Sequence, residues 1–281
     1  MDEKIEIQFK LEQVSNKFLI HLKETTDIVS HIYYSIHNSG YAPNQPLPTN
    51  SLPLLIDDKK HKLTKVEQKQ RSLDWIFKKA FEEFISGLTM SLIEGYRFVK
   101  LHALASQNPY PGKKEDLENE MENIDIAASK AHFPELMKHI EQGLGQSLPL
   151  RDEINSINKV RNCLVHRHGI VQQKDLYDAN SDTLTLKWKS IKLYTYKDGQ
   201  LKELVYETRK DGILIDNMQK EQIDNVRHFK LGDKITIDLN DFNGISFTCA
   251  DFAKTLFDIM PRQKKRNKKT KTSHKAKRAA N

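Results

Sequence analysis

Apolar positions recur at helical spacing through most of the first 170 residues and then switch to alternation. From Leu11 to about His37, Val14, Phe18, Leu22, Ile28, Ile32 and Ile36 predict a long amphipathic helix. Before it, IEIQFK at residues 5–10 alternates and predicts a short strand. Pro43, Pro46, Pro48 and Pro53 fall in a polar stretch, 40–63, read as an extended surface loop. Leu73, Ile76, Phe77, Phe81, Phe84, Ile85, Leu88, Leu92 and Phe98 then predict a core helix over Gln68–Leu104, with Gly87 or Gly95 as candidate kinks. NPYPG at 108–112 ends it, a charged exposed helical segment follows, and Phe133–Leu144 predicts a short helix closed by Gly143 and Gly145. Leu150–Val171 predicts one further helix, with Pro149 placed for its first turn and Gly169 at its end.

Beyond Val171 the period falls to two. Leu184, Leu186 and Trp188 share one face of Thr183–Lys189, Ile191–Tyr196 alternates again, and Asp198-Gly199 predicts a tight turn into Leu201–Glu207. Gly212–Ile215 and Lys234–Leu239 add two strand candidates, which makes a small antiparallel meander. Ile245, Cys249, Phe252, Leu256 and Ile259 return to helical spacing up to Pro261, and such a helix needs the helical half to cover its apolar face. The predicted fold is therefore α+β, mainly α. It has a helical bundle at 1–172, a β meander at 173–243, a closing helix at 244–261 and a disordered tail at 262–281.

Charge changes the picture of that tail. The chain of 281 residues carries a formal +7. Ten of its 45 basic residues lie in 262–281 with no acid, which leaves 35 against 38 acidic residues in the rest, about −3. The tail can attract nucleic acid through phosphate contacts, aid solubility or serve as a nuclear address, and it has no aromatic residue to stack on bases. No run of about 18 apolar residues occurs, so no membrane partner is expected. Cys163 and Cys249 are the only cysteines, far apart and with no second cysteine or histidine at zinc spacing around Cys249, and point to a reducing, cytoplasmic setting.

The helix before the change of period concentrates the chemistry. At 100° per residue, Leu150, Ile154, Ile157, Val160, Leu164 and Val165 fall on one arc, and Arg151, Asn155, Asn158, Asn162 and His166 on another. Arg161 projects into the apolar arc, where a permanent charge needs an anionic partner or an open cleft. A structural ion pair and a ligand contact are both open. His166, Arg167 and His168 fit the carbonyl end of the helix dipole, and no third residue joins the two histidines as a metal site.

Arg161-Asn162-Cys163-Leu164-Val165-His166 resembles the signature of the HEPN superfamily, an arginine followed after four to six residues by histidine, with a polar residue after the arginine. Arg97 to His102 fits the bare spacing too, as does Arg161 with His168, but Arg97 lacks the polar neighbour. The resemblance implies a helical bundle that dimerises through the motif helix and cleaves RNA without a metal or cofactor, as a toxin or antiviral-defence component. A catalytically inactive nucleic-acid- or protein-binding module is the alternative.

On that resemblance Arg161, Asn162 and His166 are the catalytic residues. His166 would be the base on a ribose 2′-hydroxyl, Arg161 would stabilise the phosphorane and Asn162 would bind phosphate or orient the histidine. Arg167, His168 and, in the tail, Lys264, Lys265, Arg266, Lys268 and Lys269 are the expected peripheral RNA contacts. The implied partners are RNA, a second copy of the chain, and an antitoxin or other defence protein. Arg161 and His166 lie about 140° apart on an ideal helix, so convergence on one phosphate calls for the dimer.

Overall fold

Thr64 starts the longest helix through a reciprocal cap: its backbone N–H donates to Glu67 Oε2 at 2.7 Å, and the Glu67 N–H donates to Thr64 Oγ1 at 3.2 Å. The Thr64 N–H, together with the Thr64 hydroxyl that also donates to Glu67 Oε2 at 2.8 Å, holds the Glu67 carboxyl below its ordinary range. The computed structural model describes residues 10–38, 64–106, 113–176, 182–197, 200–203 and 218–261. The strand expected at residues 5–10, the proline loop, the Asp198-Gly199 turn, Gly212–Ile215 and the basic tail lie wholly or almost wholly outside these residues.

Among the described residues there are six α-helices and a three-stranded antiparallel sheet, in the order α1 (Gln13–Asn38), α2 (Lys65–Ser106), α3 (Lys114–Lys130), α4 (Phe133–Leu144), α5 (Arg151–His166), β1 (Thr183–Lys197), β2 (Gln200–Glu203), β3 (Gln219–Lys230) and α6 (Leu239–Ile259). A short 3-10 turn, Gln173–Asp175, joins α5 to the sheet. This is a mainly helical α+β fold. Among the described residues no helix is long and apolar enough to cross a membrane.

α2 is the spine. Its Phe81, Phe84, Leu88 and Leu92 are fully buried, and Phe84 meets Phe18 of α1 edge to face at 6.5 Å. The helix runs uninterrupted through Gly87 and Gly95, which mark close crossings. A Cβ on Gly87 would stand 3.0 Å from His21 Cβ, and one on Gly95 would stand 3.1 Å from Met260 Cε. Ile28 of α1, counted on the apolar face in the sequence, is exposed instead. α3 buries only Leu117 and Ala128, as its charged composition requires.

α6 closes the molecule. Asp238 caps it by accepting from the Asp241 N–H at 2.8 Å, and Phe242 packs against Phe77 and Phe84, each at 5.4 Å between ring centroids. Leu184, Leu186 and Trp188 of β1 and Phe229 of β3 join the same core as the helices. Segments of different period therefore share one hydrophobic interior.

The sheet order is β2-β1-β3. β1 is one strand of 15 residues, where the sequence reads two stretches. β3, which the sequence reading missed, pairs with β1 from Thr183↔Lys230 to Tyr194↔Gln219. Lys234–Leu239, expected as a strand, makes an isolated bridge at Ile170↔Lys234 and then enters α6. Helical hydroxyls satisfy the side of β1 that β2 does not reach. The Lys187 N–H donates to Ser156 Oγ at 2.8 Å, and the Lys189 N–H donates to Thr248 Oγ1 at 2.8 Å. An open strand edge, otherwise a row of unpaired donors, is thereby closed by α5 and α6.

Candidate functional site

α5 begins at Arg151, after Leu150 in a left-handed conformation at φ 55°, so Pro149 precedes the helix rather than sitting in its first turn. It ends at His166, three residues earlier than the glycine suggests. His168 and Gly169 then take φ values of 55° and 75°, and the Gly169 N–H returns to the Cys163 carbonyl at 3.1 Å. Ile154, Ile157, Val160 and Leu164 are buried, as the apolar arc predicts.

The middle of the polar arc does not face open solvent, although Arg151 and His166 at its ends do. Asn155, Asn158, Lys159 and Asn162 line a cleft of about 640 Å³ between α5, α2 and the junction of α3 with α4. Ser86 and Thr89 enter from α2, and His132 enters from the junction. Asn158, on the same arc, is itself buried. The lining includes Arg161, Lys159 and His132 and no carboxylate, so the cleft is suited to an anion.

Arg161 is half-buried on the wall of this cleft. Its Nη1 donates to Asn162 Oδ1 at 3.0 Å, whereas its Nε is buried with no hydrogen-bond partner. Among the described residues no carboxylate lies within salt-bridge distance of it, so the structural ion pair left open by the sequence is not found there. Other arginines differ. Arg97 meets Glu94 at 3.0 Å and Asp125 at 2.8 Å, Arg151 meets Glu141 at 3.0 Å, and Arg227 meets Asp241 at 2.6 Å. Arg97, the competing match to the motif, is thus neutralised within the fold. Because Asn162 Oδ1 accepts from Arg161, its amide keeps both N–H donors for a ligand.

His166 stands apart from the cleft. It follows Asn162 by one turn on the same face, about 6 Å along the axis, and is exposed at the helix end, but it does not line the cleft. One chain therefore brings Arg161 and Asn162 together and leaves His166 outside.

Arg167 turns inward. Its Nε donates to Asp175 Oδ2 at 2.8 Å and its Nη2 meets Asp175 Oδ1, with the two side chains only 9% and 1% exposed. The Gln172 N–H also donates to Asp175, at 2.9 Å. This pair ties the end of α5 to the 3-10 turn, so the guanidinium expected on RNA is held in the fold. Burial, reinforced by the charge of Asp175, raises the adjacent Cys163 thiol to about 11. His168 is exposed and lines a separate hollow beside Trp75. The tail residues Lys264, Lys265, Arg266, Lys268 and Lys269 lie outside the described residues.

Among the described residues no three His, Cys, Asp or Glu side chains are grouped to hold a metal. The lining residues that the sequence did not single out are His132, Lys159, Ser86 and Thr89. Lys159 was within reach, since it falls beside Asn155 on the helical wheel. His132 lies 29 positions before Arg161, on another element, and carries no local signal. Compared with protein-family models, curated proteins and solved structures, the chain matches none.

Proposed function

We propose that this protein is a metal-independent RNA endonuclease of the HEPN type, acting as a two-fold dimer across α5. The observation that carries the reading is Arg161, a half-buried cation without an acid among the described residues, in a cleft whose lining holds no carboxylate. A half-buried guanidinium whose Nε lacks a partner is partly desolvated, and a ligand that supplies the counter-charge offsets that cost. An RNA phosphate does so, and the planar guanidinium with the Asn162 amide offers it several donors.

In the proposed reaction His166, exposed at the end of α5, removes the proton from a ribose 2′-hydroxyl. The 2′-oxygen bonds to phosphorus, the bond to the 5′-oxygen breaks, and that oxygen takes a proton as it leaves. The products are a 2′,3′-cyclic phosphate and a 5′-hydroxyl. Arg161 stabilises the charge that accumulates on the phosphorane. The exposure of His166 outside its own cleft is what the dimer answers, because a partner's helix could carry a histidine to the phosphate on Arg161. A toxin or defence role, with an antitoxin or other inhibitory partner, follows from the same reading.

The separation of His166 from the cleft also favours a second reading, a binding module that holds RNA on Arg161 without cutting it. Incubating the purified protein with end-labelled RNA in EDTA distinguishes the two. The nuclease reading expects cyclic-phosphate ends that vanish in both Arg161→Ala and His166→Ala. Binding that depends on Arg161 without cleavage supports the module, and cleavage unimpaired in both variants overturns the site.

A further inference from the structure

The inference concerns Trp75, on the other side of α2 from the spine contacts, and it relies on the RNA reading only for the class of ligand. We propose that Trp75 is a base-stacking platform for single-stranded RNA. Its side chain is 58% exposed, whereas the other tryptophan, Trp188, is 5% exposed and packed in the core. An exposed indole presents a large flat apolar surface that folding has not used.

Trp75 stands on the ridge between two hollows and lines both. The larger, about 630 Å³, lies between the end of α1 and the start of α2, with Lys69 and Arg71 on its wall. The smaller, about 210 Å³, is lined by Lys78, Lys234 and His168. Against these four lysines and arginines the two linings hold a single carboxylate, Asp74. That carboxylate is already engaged by Lys234 at 2.5 Å and by Gln70 at 2.8 Å. A flat aromatic face rimmed by excess positive charge matches a polynucleotide, whose bases stack on the ring while its phosphates meet the cations. An apolar protein segment would use the ring but leave Lys69 and Lys78 unmatched, Arg71 being partly offset by Glu67 one turn earlier on α2.

The position also connects to α5. His168 shares the smaller hollow with Trp75 and follows His166 by two residues. A strand stacked on Trp75 would thus meet the chain segment that leaves α5 just after the proposed base.

The test is a fluorescence titration of the full-length protein with a 2′-O-methyl oligouridylate of about ten residues, which binds as RNA does but has no free 2′-hydroxyl to react. Because Trp188 is buried, stacking is read as saturable quenching of Trp75 emission. Trp75→Ala is expected to weaken binding roughly 5- to 150-fold, the range for loss of one stacked base, while Trp75→Phe keeps most of it. Lys69→Glu with Arg71→Glu is expected to weaken binding and flatten its salt dependence. Equal affinity of wild type and Trp75→Ala overturns the proposal, as does binding without quenching. A blue-shifted Trp75 emission that grows with protein concentration overturns it in favour of a second copy on the ridge. Quenching by the oligomer without any RNA cleavage in EDTA would remove the nuclease reading and leave the platform. Cleavage untouched by Trp75→Ala, with no quenching, would do the reverse.

Discussion

Replacing Arg161 by methionine separates a ligand-binding cation from a structural one, because the two roles have opposite energetic signatures. Methionine keeps much of the apolar stem and removes the charge. The loss on the folded side is the charge-assisted hydrogen bond to Asn162, about 1.5–3 kcal/mol. The gain is relief of the buried, unpartnered Nε–H, about 1–3 kcal/mol. Arg161→Met should therefore leave stability within about 2 kcal/mol of wild type.

Arg167→Met supplies the contrast, since it strands Asp175 at 1% exposure without its cation. Removing one partner of a buried pair costs about 3–5 kcal/mol. Urea unfolding with a common slope measures both differences, and RNA binding measured on the same samples should be lost in Arg161→Met. A fall of more than about 2 kcal/mol in Arg161→Met, approaching that of Arg167→Met, would show that Arg161 supports the fold and would refute the reasoning.

Other perturbations probe the scaffold around the site. A Cβ on Gly244 would stand 2.5 Å from Trp188 Cδ1, inside the α6–β1 contact. Gly244→Ala should then cost about 1–3 kcal/mol by overpacking, seen as a lower urea midpoint. Ser156→Ala leaves the Lys187 N–H without its acceptor and should cost about 1–3 kcal/mol; hydrogen exchange should quicken at Lys187 before the rest of β1. Cys163 keeps its proton to about 11 in the folded chain, against an ordinary 9.0, so the unfolded chain ionises first. Stability from this group is intact below pH 9 and declines between about 9 and 11, and the decline should be shallower in Cys163→Ser when unfolding is followed across that range. The same burial predicts that neither Cys163 nor Cys249 is alkylated at pH 8 until urea is added.

Helices were readable because their cause is local. Phe81, Phe84, Leu88 and Leu92 recur at intervals that place them on one side of any helix, whatever covers them. β3 was not readable because its covered face places Asn225 and Arg227 between Ile223 and Phe229 while Val226 lies on the exposed face, so burial alternates but hydrophobicity does not. Only its hydrogen bonds to β1 define it. The same distinction explains Lys234–Leu239, which has strand-like composition but no neighbouring strand to pair with beyond one bridge.

The site divides in the same way. That Arg161 sits off the solvated face of α5, and that Asn155, Asn158, Asn162 and His166 share an arc, follows from 3.6 residues per turn and needs no neighbour. What opposes that arc depends on chain segments far away. α2 and the α3–α4 junction turn it into a cleft and put His132, 29 positions before Arg161, on the same lining, and Asp175 draws Arg167 inward. Periodicity sets where a side chain points, because it depends on the backbone next to it. Whether that side chain meets a carboxylate, a cleft or water depends on how the elements pack, and no local pattern encodes that.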